Sequence, residues 1–202
     1  VSGVSKNQHD IPSIGGDMNP EVFREYDIRG VVGTDLDNVF VDRLARSLGV
    51  YFRERAVGRI SLGMDARLSS PSFRDILKKG LTESGVQVID LGMVPTPVMY
   101  FSLFRLDVGG GVMVTGSHNP PDNNGFKIAL GKLTIYGEEI QKIRAIMEEG
   151  RTITGRTAGS IYDIMPEYLD DIISRIRPGR KRLKLAVEPG KGVGGAAALA
   201  VC

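Results

Sequence analysis

The chain has 202 residues, 42% apolar and 25% charged, with a formal net charge of +2. That is enough apolar material for a core without metal or disulfide staples, and too little net charge for an electrostatic nucleic-acid binder. A single cysteine, Cys202, excludes a disulfide within the chain and points to a reducing, cytoplasmic setting; no apolar run reaches the roughly 18 residues of a membrane span.

Residues 1–18 are polar and aperiodic, with no apolar signal-peptide segment, and read as a disordered leader or an expression remnant. Apolar residues at Phe40, Leu44, Leu48, Tyr51 and Phe52 predict a helix over 40–55. A strand over 59–64 follows. Ser70 as N-cap and Pro71 at the first helical position then open a helix over 71–84, stopped by Gly85. Next come a strand over 86–91, a helix from Pro95-Thr96-Pro97 through Phe104, and a strand over 110–115 apolar enough to be buried on both faces. A polar loop to Gly125, a strand over 126–130 and a helix over 138–147 complete the series.

Alternating strands and helices predict an α/β fold, three layers α/β/α around a mostly parallel mixed sheet, spanning 19–160. Residues 161–202 read as a linker helix and the start of a second, similar domain. Its first elements are a strand over 183–187, a glycine-rich turn and a helix from Ala196. The basic run Arg180-Lys181-Arg182 reads as a solvated turn before that strand.

The stretch richest in chemistry is Thr115-Gly116-Ser117-His118-Asn119-Pro120-Pro121-Asp122-Asn123-Asn124-Gly125-Phe126-Lys127. A buried strand delivers Ser117 onto a tight loop, Gly116 permits close approach to a ligand, and paired prolines restrict the loop. A hydrolase nucleophile is disfavoured: position 119 is Asn, so there is no Gly-x-Ser-x-Gly elbow. Adjacent side chains such as His118 usually diverge, and the other histidine, His9, lies in the leader. A phosphoryl-carrying serine needs positive charge and donors around it. Lys127, Arg29, His118 and Asn119 are the right types.

The serine loop resembles that of the α-D-phosphohexomutases of the phosphomannomutase/phosphoglucomutase type. Two further segments agree in order: Phe23-Arg24-Glu25-Tyr26-Asp27-Ile28-Arg29-Gly30 and Gly63-Met64-Asp65-Ala66-Arg67-Leu68-Ser69-Ser70-Pro71. The resemblance covers about residues 20–200 and implies the N-terminal part of such an enzyme, interconverting hexose 1- and 6-phosphates through phosphoserine and a bisphosphorylated sugar. It implies Ser117, Lys127, His118 and Arg29 as catalytic residues, and Tyr26, Arg29, Asn119 and Lys127 as substrate contacts. Ser117 is also implied as one Mg²⁺ ligand, the others lying beyond residue 202, with glucose or mannose 1,6-bisphosphate as activator. Residues 1–202 alone are therefore expected to be inactive. Thr-Gly before the serine favours mannose or glucose over the phosphoglucosamine mutases, which more often carry Ala there; Met64 stands where the family commonly has arginine.

Plainer readings stay open. Ser117 could cap a turn, Lys127 could be solvated, Arg29 could pair with Asp27 or Glu25, Tyr26 could be core packing, and His118 could only orient the loop. Asp65 and Arg67 read as bracing a turn. The whole could be a non-catalytic module binding sugar phosphates or a partner chain. Gly190-Lys191-Gly192-Val193-Gly194-Gly195 satisfies Gly-x-Gly-x-x-Gly, but a dinucleotide site also needs an acidic residue about 20 positions on, which falls past residue 202. The resemblance instead makes it the opening loop of the second domain.

Overall fold

The computed structural model describes residues 18–177, 179 and 184–202. The leader and the Arg180-Lys181-Arg182 run lie outside them, apart from Met18. The sheet is built from β1 (Ile28–Val31), β2 (Arg59–Met64), β3 (Gln87–Met93), β4 (Gly110–Val114), β5 (Asn123–Leu130), β6 (Leu133–Thr134) and β7 (Ser160–Ile161). Their order is β1-β5-β4-β2-β3-β7, with β6 paired to β5. The run β4-β2-β3-β7 is parallel, whereas β5 is antiparallel to β4, β1 and β6. The expected mostly parallel mixed sheet is found.

One face is covered by α1 (Asn38–Glu54), α2 (Ser70–Glu83) and α4 (Glu138–Glu148), the other by α3 (Thr96–Arg105). Helix α1 starts where Asp37 Oδ1 accepts the Phe40 N–H at 2.7 Å. Its buried face runs through Phe40, Val41, Leu44, Leu48, Tyr51 and Phe52. Helices α1 and α2 touch through glycines: a Cβ at Gly80 would stand 2.6 Å from that of Ala45. Gly85 follows α2 with φ +80°, as a C-terminal glycine should. On the second face Val98, Met99 and Leu103 pack with Leu91, Val94, Met113 and Ile164. The three layers are complete.

Several expectations are corrected. The N-cap of α2 is Ser69; Ser70 lies inside the helix, its hydroxyl turned to Asp65. Strand β5 begins three residues early, at Asn123, because buried Asn124 satisfies its amide on Ser69 and Ser70. No strand occupies the described part of 183–187: residues 184–189 are irregular, and Leu183 lies outside the described residues. Helices α5 (Met165–Arg175) and α6 (Gly194–Val201) bury no side chain. Among the described residues, no helix is long and apolar enough to cross a membrane.

Asp90 on β3 is the buried charge that ties helix to sheet. It is 1% exposed, with Arg74 at 2.6 Å and Lys78 at 3.0 Å from Oδ2, and the Gly92 N–H at 3.0 Å from Oδ1. Burial pushes its pKa up. The Lys78 ammonium, the Gly92 N–H and the Arg74 guanidinium outweigh that and hold the carboxyl below its ordinary value of 3.8. A depressed carboxyl stabilises the fold fully above its unfolded pKa, and that contribution is lost as pH falls through the folded value. Asp90→Asn is expected to cost about 2–4 kcal/mol at pH 7, with the gap to wild type narrowing below about pH 4. Urea denaturation at pH 7 and pH 3 checks this, and equal stability at pH 7 refutes it.

Candidate active site

Strand order reverses around β2: the chain passes from β2 to β3 on one side, then crosses to β4 on the other. Such a reversal opens a crevice at the carboxyl ends of the strands concerned, where open α/β sheets hold their ligands. Ser117 sits past the end of β4, and Asp65 past the end of β2. The two ends are joined by the Asp65 N–H on the Val114 carbonyl at 2.9 Å.

Ser117 is exposed and has φ +52°, a left-handed backbone that costs a residue with a side chain about 1–2 kcal/mol. Its N–H is held by Thr115 Oγ1 at 2.9 Å. Adjacent side chains were expected to diverge, yet Ser117 Oγ lies 3.3 Å from His118 Nδ1; the left-handed turn brings the pair together. Two tight turns follow, closed by Asn119 N–H on Gly116 O at 3.0 Å and Asn123 N–H on Pro120 O at 3.1 Å. Asn119 is half-buried at the first of them.

The cations come from a different strand pair. Strands β1 and β5 align Arg29 with Gly125 and Ile28 with Phe126. Asp27 therefore falls opposite Lys127 and shares its face, because strand side chains alternate. The Asp27 carboxylate carries both cations: Arg29 Nε lies 3.3 Å from Oδ1 and Lys127 Nζ 3.3 Å from Oδ2. Two positive groups on one carboxylate leave a net positive charge on this face. Arg29 Nε is buried without a well-aligned acceptor among the described residues, so its pairing with Asp27 is electrostatic. Lys127 is opposite Met113 of β4, four positions before Ser117 in the sequence. Tyr26 is 67% exposed, which excludes core packing, and its ring tilts against exposed Tyr136 at 6.4 Å.

Asp65 and Arg67 bind the serine loop itself. Asp65 Oδ2 accepts the Gly116 N–H at 3.0 Å, while Oδ1 accepts the Ser70 hydroxyl at 2.6 Å and the Arg67 N–H at 3.0 Å. Arg67 donates to the carbonyls of Ser117 (3.2 Å), Asn119 (2.6 Å), Pro120 (2.5 Å) and Asn123 (2.7 Å). The sequence suggested a braced turn without saying which one. The signal for the partner is Gly116, where a Cβ would run into the Arg67 guanidinium. Asp27 was noticed only as a partner for Arg29; its contact with Lys127 follows from strand register. Met64, in the family's arginine position, is a buried residue of β2. Among the described residues, no group of three or more His, Cys, Asp and Glu could hold a metal ion.

The three-layer α/β/α domain, with its mostly parallel mixed sheet, is the class that the fold defines, and known proteins share it. A family model described as phosphoglucomutase/phosphomannomutase, alpha/beta/alpha domain I, matches residues 20–154. A phosphoglucomutase of Neisseria gonorrhoeae is 42% identical over 178 residues, covering 87% of this chain and 38% of the relative. A phosphomannomutase/phosphoglucomutase of Pseudomonas aeruginosa is 41% identical over 174 residues, covering 86% and 37%. The crystal structure of a phosphoglucomutase/phosphomannomutase family protein from Burkholderia thailandensis superposes with a TM-score of 0.86 at 38% identity, covering 91% of this chain and 42% of that one. The chain belongs to the phosphoglucomutase/phosphomannomutase family, which it matches through domain I. It spans about two-fifths of the length of these curated relatives.

Proposed function

We propose that the full-length protein is a phosphohexomutase interconverting hexose 1-phosphate and hexose 6-phosphate, with mannose, glucose or both as the sugar, in the cytoplasm. The observation that carries this reading is Ser117, exposed and fixed in a left-handed turn at the carboxyl end of β4, in a chain of this family. In the proposed cycle the P–Oγ bond of phosphoserine 117 breaks as a bond forms from phosphorus to a sugar hydroxyl oxygen. Lys127, acting as the free amine, takes the hydroxyl proton and becomes the ammonium that Asp27 is placed to hold, while the departing Ser117 oxygen takes up a proton. The bisphosphorylated sugar then turns over, and its other phosphoryl group returns to Ser117 by the reverse displacement.

His118, within hydrogen-bond reach of Ser117 Oγ, is assigned to orienting that oxygen or its phosphate. Arg29, Tyr26 and Asn119 are assigned to substrate or phosphoserine contacts. Ser117 Oγ would be one Mg²⁺ donor, but the described residues do not complete a cation site. Bound there, Mg²⁺ would neutralise charge on the transferring group. Residues 1–202 alone are accordingly expected to turn over no hexose phosphate.

Intact mass and phosphopeptide mapping of the full-length protein, before and after glucose 1,6-bisphosphate, tests the reading. One added phosphoryl group at Ser117 supports it. Persistent absence of phosphate on folded protein with Mg²⁺ present would return it to a sugar-phosphate-binding module.

A further inference from the structure

We propose that Arg67, with Asp65, is a positioning residue for the phosphoryl-carrying serine: it fixes the loop backbone and touches no substrate. The inference rests on the phosphoserine reading of Ser117. Its geometric basis is where the Arg67 donors go. A guanidinium has five N–H donors; the terminal nitrogens of Arg67 serve four carbonyls between Ser117 and Asn123, and Nε faces Asp65 Oδ2 at 3.5 Å. The side chain is 15% exposed, and that donor set is committed to backbone, leaving little to offer a phosphate. Arg29 differs, since its Nε has no well-aligned acceptor among the described residues.

The clamp acts on both sides of the reactive residue. Asp65 holds the Gly116 amide, and Arg67 holds the Ser117 carbonyl. Between those points lies the left-handed φ of Ser117, which persists only where its surroundings over-determine it. Gly116 leaves the space that the guanidinium fills. Three of the bonded carbonyls belong to the serine loop, and the fourth, Asn123, is the first residue of β5. Removing it should loosen the loop and leave the sheet intact.

Arg67→Ala and Arg67→Lys in the full-length protein test this, read by kcat and KM, by phosphate uptake at Ser117, and by backbone amide exchange. Arg67→Ala should lower kcat about 10- to 100-fold, with KM within about threefold. Faster exchange should be confined to 116–123. Lysine, a point charge that cannot span four carbonyls, should recover little of the rate. Unchanged kcat with unchanged loop exchange overturns the proposal, as does fast exchange spread over β2 and β4 with kcat falling only in proportion to unfolded protein. Should Arg67→Ala fail to fold, Asp65→Asn, which weakens the hold on Gly116, carries the same readouts. A wild-type protein that never takes phosphate on Ser117 would instead sink the phosphoserine reading, and loop exchange would still decide whether Arg67 orders the loop.

Discussion

Ser117→Ala in the full-length protein is expected to abolish phosphoryl uptake and to lower hexose-phosphate interconversion by at least about three orders of magnitude. No other residue among those described shares its position: an exposed hydroxyl in a left-handed turn at the end of a buried strand. The substitution removes one oxygen and leaves every backbone contact of the loop in place, including the Ser117 N–H to Thr115 and the Ser117 carbonyl to Arg67. Stability should therefore stay within about 0.5 kcal/mol of wild type. That separation makes the result informative. Turnover unchanged in a folded Ser117→Ala protein would place the phosphoryl acceptor elsewhere. A loss of turnover that tracks a fall in Tm would show only that the loop had come apart. Cysteine at the same position, nucleophilic but with a different phosphoryl chemistry, should not restore the rate.

The parts of the fold legible in the sequence are those whose pattern is local. The all-apolar run of β4 marks a strand buried on both faces, and Gly85 marks the end of α2. Strand β1 was missed because it is four residues long, and only Ile28 and Gly30 of it are buried. The start of β5 was missed for a related reason. Asn123-Asn124-Gly125 has loop composition, and it becomes strand through partners far along the chain: the Ser69 and Ser70 hydroxyls for Asn124, and the β1 backbone for Gly125. A Cβ at Gly125 would stand 2.6 Å from the Ile28 carbonyl oxygen, so the glycine records a close backbone approach that periodicity does not encode.

The site divides along the same line. Ser117 and Lys127 could be singled out because one continuous motif contains both, and Tyr26 and Arg29 because a second motif contains them. What the sequence could not supply is the connection between motifs. Asp27 meets Lys127, 100 residues away in the chain, only because β1 and β5 pair in a particular register. Arg67 meets the serine loop from about 50 residues upstream because β2 and β4 are parallel neighbours whose carboxyl ends lie side by side. Each side chain is named locally, and its partner is set by topology.

That register sets the second large effect. Lys127→Met is expected to reduce kcat about 10²- to 10³-fold while the protein stays folded. Lys127 lies on β5 with a side chain 25% exposed, and losing its charge leaves the Asp27 carboxylate still beside Arg29. Since no buried charge is stranded, the usual large penalty for breaking such a pair does not apply. Lys127→Arg separates the two jobs the lysine could have. Arginine keeps the positive charge beside Asp27 but does not give up its proton in proteins. If Lys127 serves only as a cation, Lys127→Arg should retain most of the rate. If it moves the sugar hydroxyl proton, Lys127→Arg should be nearly as slow as Lys127→Met, with KM much less affected than kcat. A rate within about twofold of wild type for Lys127→Met would make it a solvated lysine at a strand position. Asp27 would then hold a structural ion pair, and the proton would have to leave by another group.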